Sequence, residues 1–115
     1  MPWVVLDHPD FIPERQALDS DVIDKLAEIV LALVEAGPHL GRPHIDTLAG
    51  SRHGNMKEIR ISVRGAWRFA FAFDPERQAI ILCGGNKEGT AQRLFYKTLI
   101  RTADKRFDDW LEAKG

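Results

Sequence analysis

The chain is poor in the residues that would place it outside a cell or inside a membrane. It has one cysteine, Cys83, in 115 residues. That excludes an internal disulfide framework and fits a reducing compartment. No stretch approaches the roughly 20 consecutive apolar residues of a membrane span. The start, MPWVVLDHPD, carries neither a basic leader nor an apolar segment long enough for export. A cytoplasmic protein with no membrane association is expected. An excess of one charge is missing too: 16 Lys and Arg stand against 17 Asp and Glu, a net charge of −1, which taken alone argues against nucleic acid. Internal repeats and low-complexity segments are absent. With 44% hydrophobic and 29% charged residues, the composition is that of a folded globule, and residues 1–115 are read as a single domain with one modest core.

The near-zero net charge hides a division. Residues 1–40 hold eight acids and two bases, a net of −6; residues 41–101 hold five acids and eleven bases, a net of +6; residues 102–115 hold four acids and three bases. A basic middle beside an acidic front suggests a polyanionic partner for one surface.

Hydrophobic spacing gives the elements. Trp3 to Leu6 reads as a short strand and Pro9 to Leu18 as a short helix. Ile23, Leu26, Ala27, Val30, Leu33 and Val34 form one apolar stripe on a helix from about Ser20 to Ala36. Asp19 or Ser20 caps its start and Gly37-Pro38 ends it. Residues 37–57 are loop-rich, and irregular stretches of that length are often functional. His39, His44 and His53 lie there, with His8 earlier, but their spacing matches no zinc signature; no metal and no cofactor is expected.

Two runs of strict alternation follow, Glu58 to Arg64 and Trp67 to Phe73, around Gly65. They read as a β-hairpin. Side chains directly opposite must share a face. A three-residue loop, Arg64 to Ala66, satisfies this by pairing Val63 with Trp67, Ile61 with Phe69 and Ile59 with Phe71. Arg68 then sits opposite Ser62, with Arg60 diagonal to it. Two arginines share a face with Ala70 and Ala72, whose small side chains leave room for a ligand. The apolar run Ala79 to Cys83 reads as a central strand, with Cys83 a buried thiol. Gly84 to Thr90 joins it to the last helix, a glycine-rich turn with Lys87 beside it and Thr90 as N-cap, a plausible phosphate site. The Walker pattern is absent, which argues against a nucleotide hydrolase. The last helix, about Ala91 to Ala113, turns Phe95, Leu99, Ala103, Phe107, Trp110 and Leu111 inward. Arg93, Lys97, Arg101 and Lys105 recur every four residues as a basic stripe.

The order of these elements, with Leu48 and Gly50 ahead of Lys57-Glu58-Ile59-Arg60, the strand Trp67-Arg68-Phe69 and the Lys87 turn before a basic helix, resembles the RelE/ParE/HigB superfamily of bacterial toxins, in particular its phage-derived HigB-like branch. The likeness runs from about Gly41 to Leu111. It implies a small α+β, RelE-like fold: an antiparallel sheet of about four strands, two N-terminal helices and a C-terminal helix. It also implies the toxin of a type II toxin–antitoxin pair, held by a cognate helix-turn-helix antitoxin. The expected activity is that of a ribosome-dependent endoribonuclease cutting mRNA by metal-free attack of the 2′-hydroxyl on the adjacent phosphodiester. Carried onto this chain, the resemblance puts Arg68 and Lys87 on the phosphate, Arg60 on phosphate or in proton transfer, and Tyr96 as acid or base-stacking group. Lys57, Arg64 and Arg93 grip RNA backbone, and His53 serves as base if its loop folds over the sheet. The tail, Arg106 to Leu111, lacks the Asp–His or Tyr that some relatives carry. Two other readings remain: a ParE-like toxin that poisons gyrase, and an inactive toxin-like binding module.

Overall fold

A computed structural model describes residues 2–114. Its elements are β1 (Val4–Asp7), α1 (Ile12–Gln16), α2 (Ser20–Ala36), a 3-10 turn at Gly37–His39, β2 (Ile45–Thr47), β3 (Met56–Ile61), β4 (Trp67–Phe73), β5 (Gln78–Asn86) and α3 (Gln92–Lys114). The strands form one sheet in the order β1-β5-β4-β3-β2. The fold is α+β, but the sheet has five strands and is mixed, because β1 runs parallel to β5. The added strand, β2, pairs antiparallel with β3 through Ile45 and Ile59. At three residues it is too short to leave a periodic signal.

Sheet alternation divides the core in two. Ile59, Ile61, Phe69, Phe71 and Ile81 face α1 and α2, where Phe11, Val22, Leu26, Ile29 and Leu33 meet them. Met56, Ala70, Ala72, Ile80 and Leu82 face α3 and meet Leu99, Ala103 and Phe107. Ala70 and Ala72 are fully buried, so the space their small side chains leave is filled by α3 rather than by a ligand. Arg106 ties this layer to its neighbours, donating to the Leu82 carbonyl at 2.7 Å and to Glu14 of α1 at 2.7 and 2.9 Å.

Helix α2 has the bounds that its periodicity predicts. The Asp19 side chain accepts from the Asp21 N–H at 3.1 Å, and Gly37 ends the helix at φ 55°. A Cβ at Gly37 would overlap the Trp3 indole, so glycine serves here both for its conformation and for close approach. The buried stripe is Val22, Leu26, Ile29 and Leu33, rotated from the expected one. The helix is apolar around more than half its circumference, and the sheet selects which residues are covered. Leu31 stays exposed.

The hairpin register differs from expectation. Ile61 pairs with Trp67, Ile59 with Phe69, and Arg60 lies directly opposite Arg68. The connection, Ser62 to Ala66, has five residues. Its end is taken by β5: the Ala66 N–H donates to Asn86 Oδ1 at 3.0 Å, and the Ala66 carbonyl accepts from the Lys87 N–H at 2.9 Å. Three-residue and five-residue loops have the same parity, so every side chain keeps its predicted face. Gly84 and Gly85, expected in a loop, are inside β5. Helix α3 begins at Gln92, with the Ala91 carbonyl accepting from the Phe95 N–H, so Thr90 falls one residue short of the cap.

Candidate active site

The α3-facing side of β3 and β4 carries Glu58, Arg60 and Arg68 in one patch, just beyond the end of the layer that α3 covers. Glu58 and Arg68 are both buried. Arg68 Nε is 3.7 Å from Glu58 Oε1, and its Nη1 donates to the Trp67 carbonyl at 2.9 Å. Tyr96, one turn into α3, reaches back over the sheet and donates its hydroxyl to Glu58 Oε1 at 2.8 Å. Burial first, and the hydrogen bond to Glu58 second, hold the Tyr96 hydroxyl above the ordinary phenol range, so it keeps its proton at neutral pH. Lys87 Nζ lies 5.8 Å from the centre of the Tyr96 ring.

These groups border an open cavity of about 350 Å³ with Glu58, Arg60, Lys87 and Tyr96 in its wall, together with Asp46 and Thr47 of β2. Arg60 Nη1 lies 3.9 Å from Asp46 Oδ2, which is also bound by Arg42 at 2.8 Å. The arrangement offers a carboxylate held by a phenol and a buried guanidinium, with two further cations in the wall of the same open space. A group that accepts a proton next to groups that stabilise an anion is what displacement at phosphorus needs.

The structure thus brings Arg60, Lys87 and Tyr96 together. Arg68 stands beside both Glu58 and Tyr96 and is a lining residue of a neighbouring cleft instead. The remaining candidates lie elsewhere. Lys57 is on the opposite sheet face, its Nζ donating to Thr47 Oγ1 at 3.1 Å, in a depression with His39 and Phe73. Arg64, with φ 52°, is bound to Asp21 at 2.7 Å and lies near Asp19 at 3.4 Å, at the acidic start of α2. Arg93 is exposed in the first turn of α3. His53 does fold back, but onto the far end of α3. Its Nε2 is 2.8 Å from Asp108 Oδ1 and its ring meets Phe107 edge-on at 4.8 Å. Asp108 is twelve residues beyond Tyr96, about 18 Å along the helix, so His53 is no base for this cavity. Ser51 and the Arg52 N–H bind Asp104 in the same clasp, at 2.5 and 3.1 Å. Glu58 is the site residue that sequence reasoning passed over. The signal was there: alternation puts it on the face of Arg60 and Arg68.

Among the described residues no cluster of three or more His, Cys, Asp or Glu side chains converges as a metal set, and no helix is long and apolar enough to cross a membrane.

A mutant of the Escherichia coli toxin RelE in the free state has the same fold. The superposition has a TM-score of 0.67 and covers 92% of this chain and 98% of that one at 17% identity. Residues 14–108 match the family described as phage derived protein Gp49-like. The chain therefore belongs to the Gp49-like family. Two Mycobacterium tuberculosis proteins are close in sequence. It is 44% identical to "Putative toxin HigB2" over 96 residues, 82% of this chain and 47% of that one. It is 41% identical to "Putative toxin HigB3" over 98 residues, 85% of this chain and 84% of that one. The chain spans about half the length of the first and most of the second.

Proposed function

We propose that this chain is the toxin of a toxin–antitoxin pair and that it cuts messenger RNA in the cavity between β2, β3 and α3. The observation that carries the reading is Glu58, a carboxylate fixed by Tyr96 and Arg68 in the wall of a cavity that Arg60 and Lys87 also line. The toxin names of its relatives support the biological class.

In this reading Glu58 takes the proton of a 2′-hydroxyl as that oxygen attacks the adjacent phosphorus. Negative charge builds on the non-bridging oxygens, which Arg60 and Lys87 stabilise. The 5′-oxygen leaves, and the products are a 2′,3′-cyclic phosphate and a 5′-hydroxyl. Attacking and leaving oxygens are in line on opposite sides of phosphorus, so the proton donor stands across the cavity from Glu58. Tyr96 touches Glu58 and is on the wrong side for that task. It positions the base. Arginine does not release its proton in proteins, which leaves Lys87 as the acid. Arg68 holds Glu58 from behind.

The surroundings argue for delivery of the message by the ribosome. The chain is near neutral and the acidic face of α2 lies one sheet away, so long-range attraction for free RNA is weak. A cognate helix-turn-helix antitoxin is the expected partner.

Induced expression without an antitoxin should arrest growth, with new 5′ ends mapped by primer extension within ribosome-bound messages. Glu58→Gln should lower cleavage by about 10²–10⁴, the usual worth of a general base. Gyrase-linked DNA breaks with intact messages would instead support the ParE-like reading, since Arg93, Lys97, Arg101 and Lys105 of α3 are all exposed. Unimpaired growth at high expression would support an inactive binding module.

A further inference from the structure

A second concavity, of about 460 Å³, adjoins the first. Its wall includes Lys25, Arg42, His44, Arg60, Ser62 and Arg68. It forms where β2 has ended: past the bond from the Arg60 N–H to the His44 carbonyl, at 2.8 Å, β3 has a neighbouring strand only on its β4 side. Four side chains that are cationic at neutral pH line it, and no carboxylate does. The acids that partly balance them all approach from outside: Asp46 to Arg42 at 2.8 Å and to Arg60 at 3.9 Å, Glu28 to Lys25 at 3.3 Å, Glu58 to Arg68 at 3.7 Å. Arg68 is buried, yet its Nε makes no hydrogen bond among the described residues. A buried donor without an acceptor is costly, and the residue that carries it is one of those lining the cleft.

Arg60 borders both this cleft and the cavity that holds Glu58 and Lys87, so the two volumes are immediate neighbours. We propose that the cleft is a second phosphate subsite, in which Lys25, Arg42 and Arg68 hold the phosphodiester next to the scissile one on the same RNA strand. The inference rests on the catalytic reading of the first cavity and adds to it the polarity of the track: the strand passes over Arg60 and leaves along the open edge of β3. Planar guanidinium forks suit phosphate oxygens, and phosphate contacts fix register without reading sequence.

The test uses two uncleavable probes, a 2′-O-methyl dinucleotide with one phosphodiester and a 2′-O-methyl trinucleotide with two. Each is titrated against the full chain at several salt concentrations. The Lys25→Ala/Arg42→Ala variant should bind the trinucleotide about tenfold more weakly, as expected when a charge-assisted hydrogen bond is removed. Its affinity for the dinucleotide should be unchanged. The salt slope for the longer probe should fall by about 0.7 for each phosphate that the variant no longer neutralises. Lys87→Ala should weaken both probes. Arg42 is largely exposed and Lys25 partly so, and an unchanged thermal melt confirms that the variant folds. Full trinucleotide affinity in the cleft variant, an equal loss on both probes, or an unaltered chain that gains nothing from the second phosphate each overturns the subsite. The first of these, with Lys87→Ala still weak, leaves the catalytic reading standing. Loss of an acidic antitoxin segment from the variant, with both probes bound normally, reassigns the cleft to protein.

Discussion

Arg68→Ala separates two roles that a cationic site residue can play. If Arg68 chiefly held the scissile phosphate, its removal would slow the reaction and leave the fold untouched. If it braces Glu58, its removal should also cost stability. The side chains of Arg68 and Glu58 are 6% and 9% exposed, so solvent does little to screen them. Removing one partner of a buried ion pair costs about 3–5 kcal/mol, because the other charge stays behind uncompensated. The contact here is long, 3.7 Å, and Nε makes no hydrogen bond, which favours the lower end, about 3 kcal/mol. With a denaturant dependence of about 2 kcal/mol per molar urea, the unfolding midpoint should fall by roughly 1.5 M. Adding Glu58→Gln removes the stranded charge and should recover about 1–2 kcal/mol, a coupling that a double-mutant cycle reads directly. Urea melts followed by far-ultraviolet circular dichroism are sufficient. A single variant within about 0.5 kcal/mol of the unaltered chain, the range of an ordinary surface change, would refute the claim that Arg68 braces Glu58.

Three further outcomes are expected. Tyr96→Phe keeps the ring and loses only the donor to Glu58, so kcat should drop about tenfold while KM stays put; a change in KM alone would mean that Tyr96 holds substrate instead. The hydrogen bond from His53, with Arg52 close by, holds the Asp108 carboxyl below its ordinary value of 3.8, and a depressed folded pKa means that this contribution to stability is present above that value and lost as pH falls through it. Asp108→Asn should therefore flatten the acid limb of the stability profile below about pH 4 and loosen the 51–53 loop, visible as faster amide exchange there. Burial pushes the Cys83 thiol up to about 12, so a maleimide at pH 8 should label it only after denaturation; rapid native labelling would contradict the packing of β5 on α3.

How much of this was written in the sequence depends on the range of the interaction. Helix α2 was legible to the residue because its signals are local: an Asp19 cap, an apolar period and a Gly37-Pro38 stop. The two faces of the sheet were legible because alternation has a period of two and survives a change of loop length. The hairpin register was not. What sets it is the capture of Ala66 by Asn86 and Lys87, a contact between segments twenty residues apart that nothing in Ser62 to Ala66 announces. The parallel pairing of β1 with β5 spans most of the chain and is hidden for the same reason.

The site follows the same rule. Residue type and family likeness point to Arg60, Lys87 and Tyr96, and the fold brings them to one cavity because strand parity and the start of α3 do so. Glu58 stands in plain view on the arginine face. A carboxylate among cations is easily taken for their neutralising partner. Its geometry adds a second partner: Glu58 pairs with Arg68 at 3.7 Å but makes its shorter contact, 2.8 Å, with the Tyr96 hydroxyl. In the proposed reaction this is the carboxylate that takes the 2′-hydroxyl proton. The unexpected strand β2 bears on the same site, since Asp46 and Thr47 join its wall. Without that short strand the proposed phosphate site would lose two wall residues, and water would screen developing charge there more strongly.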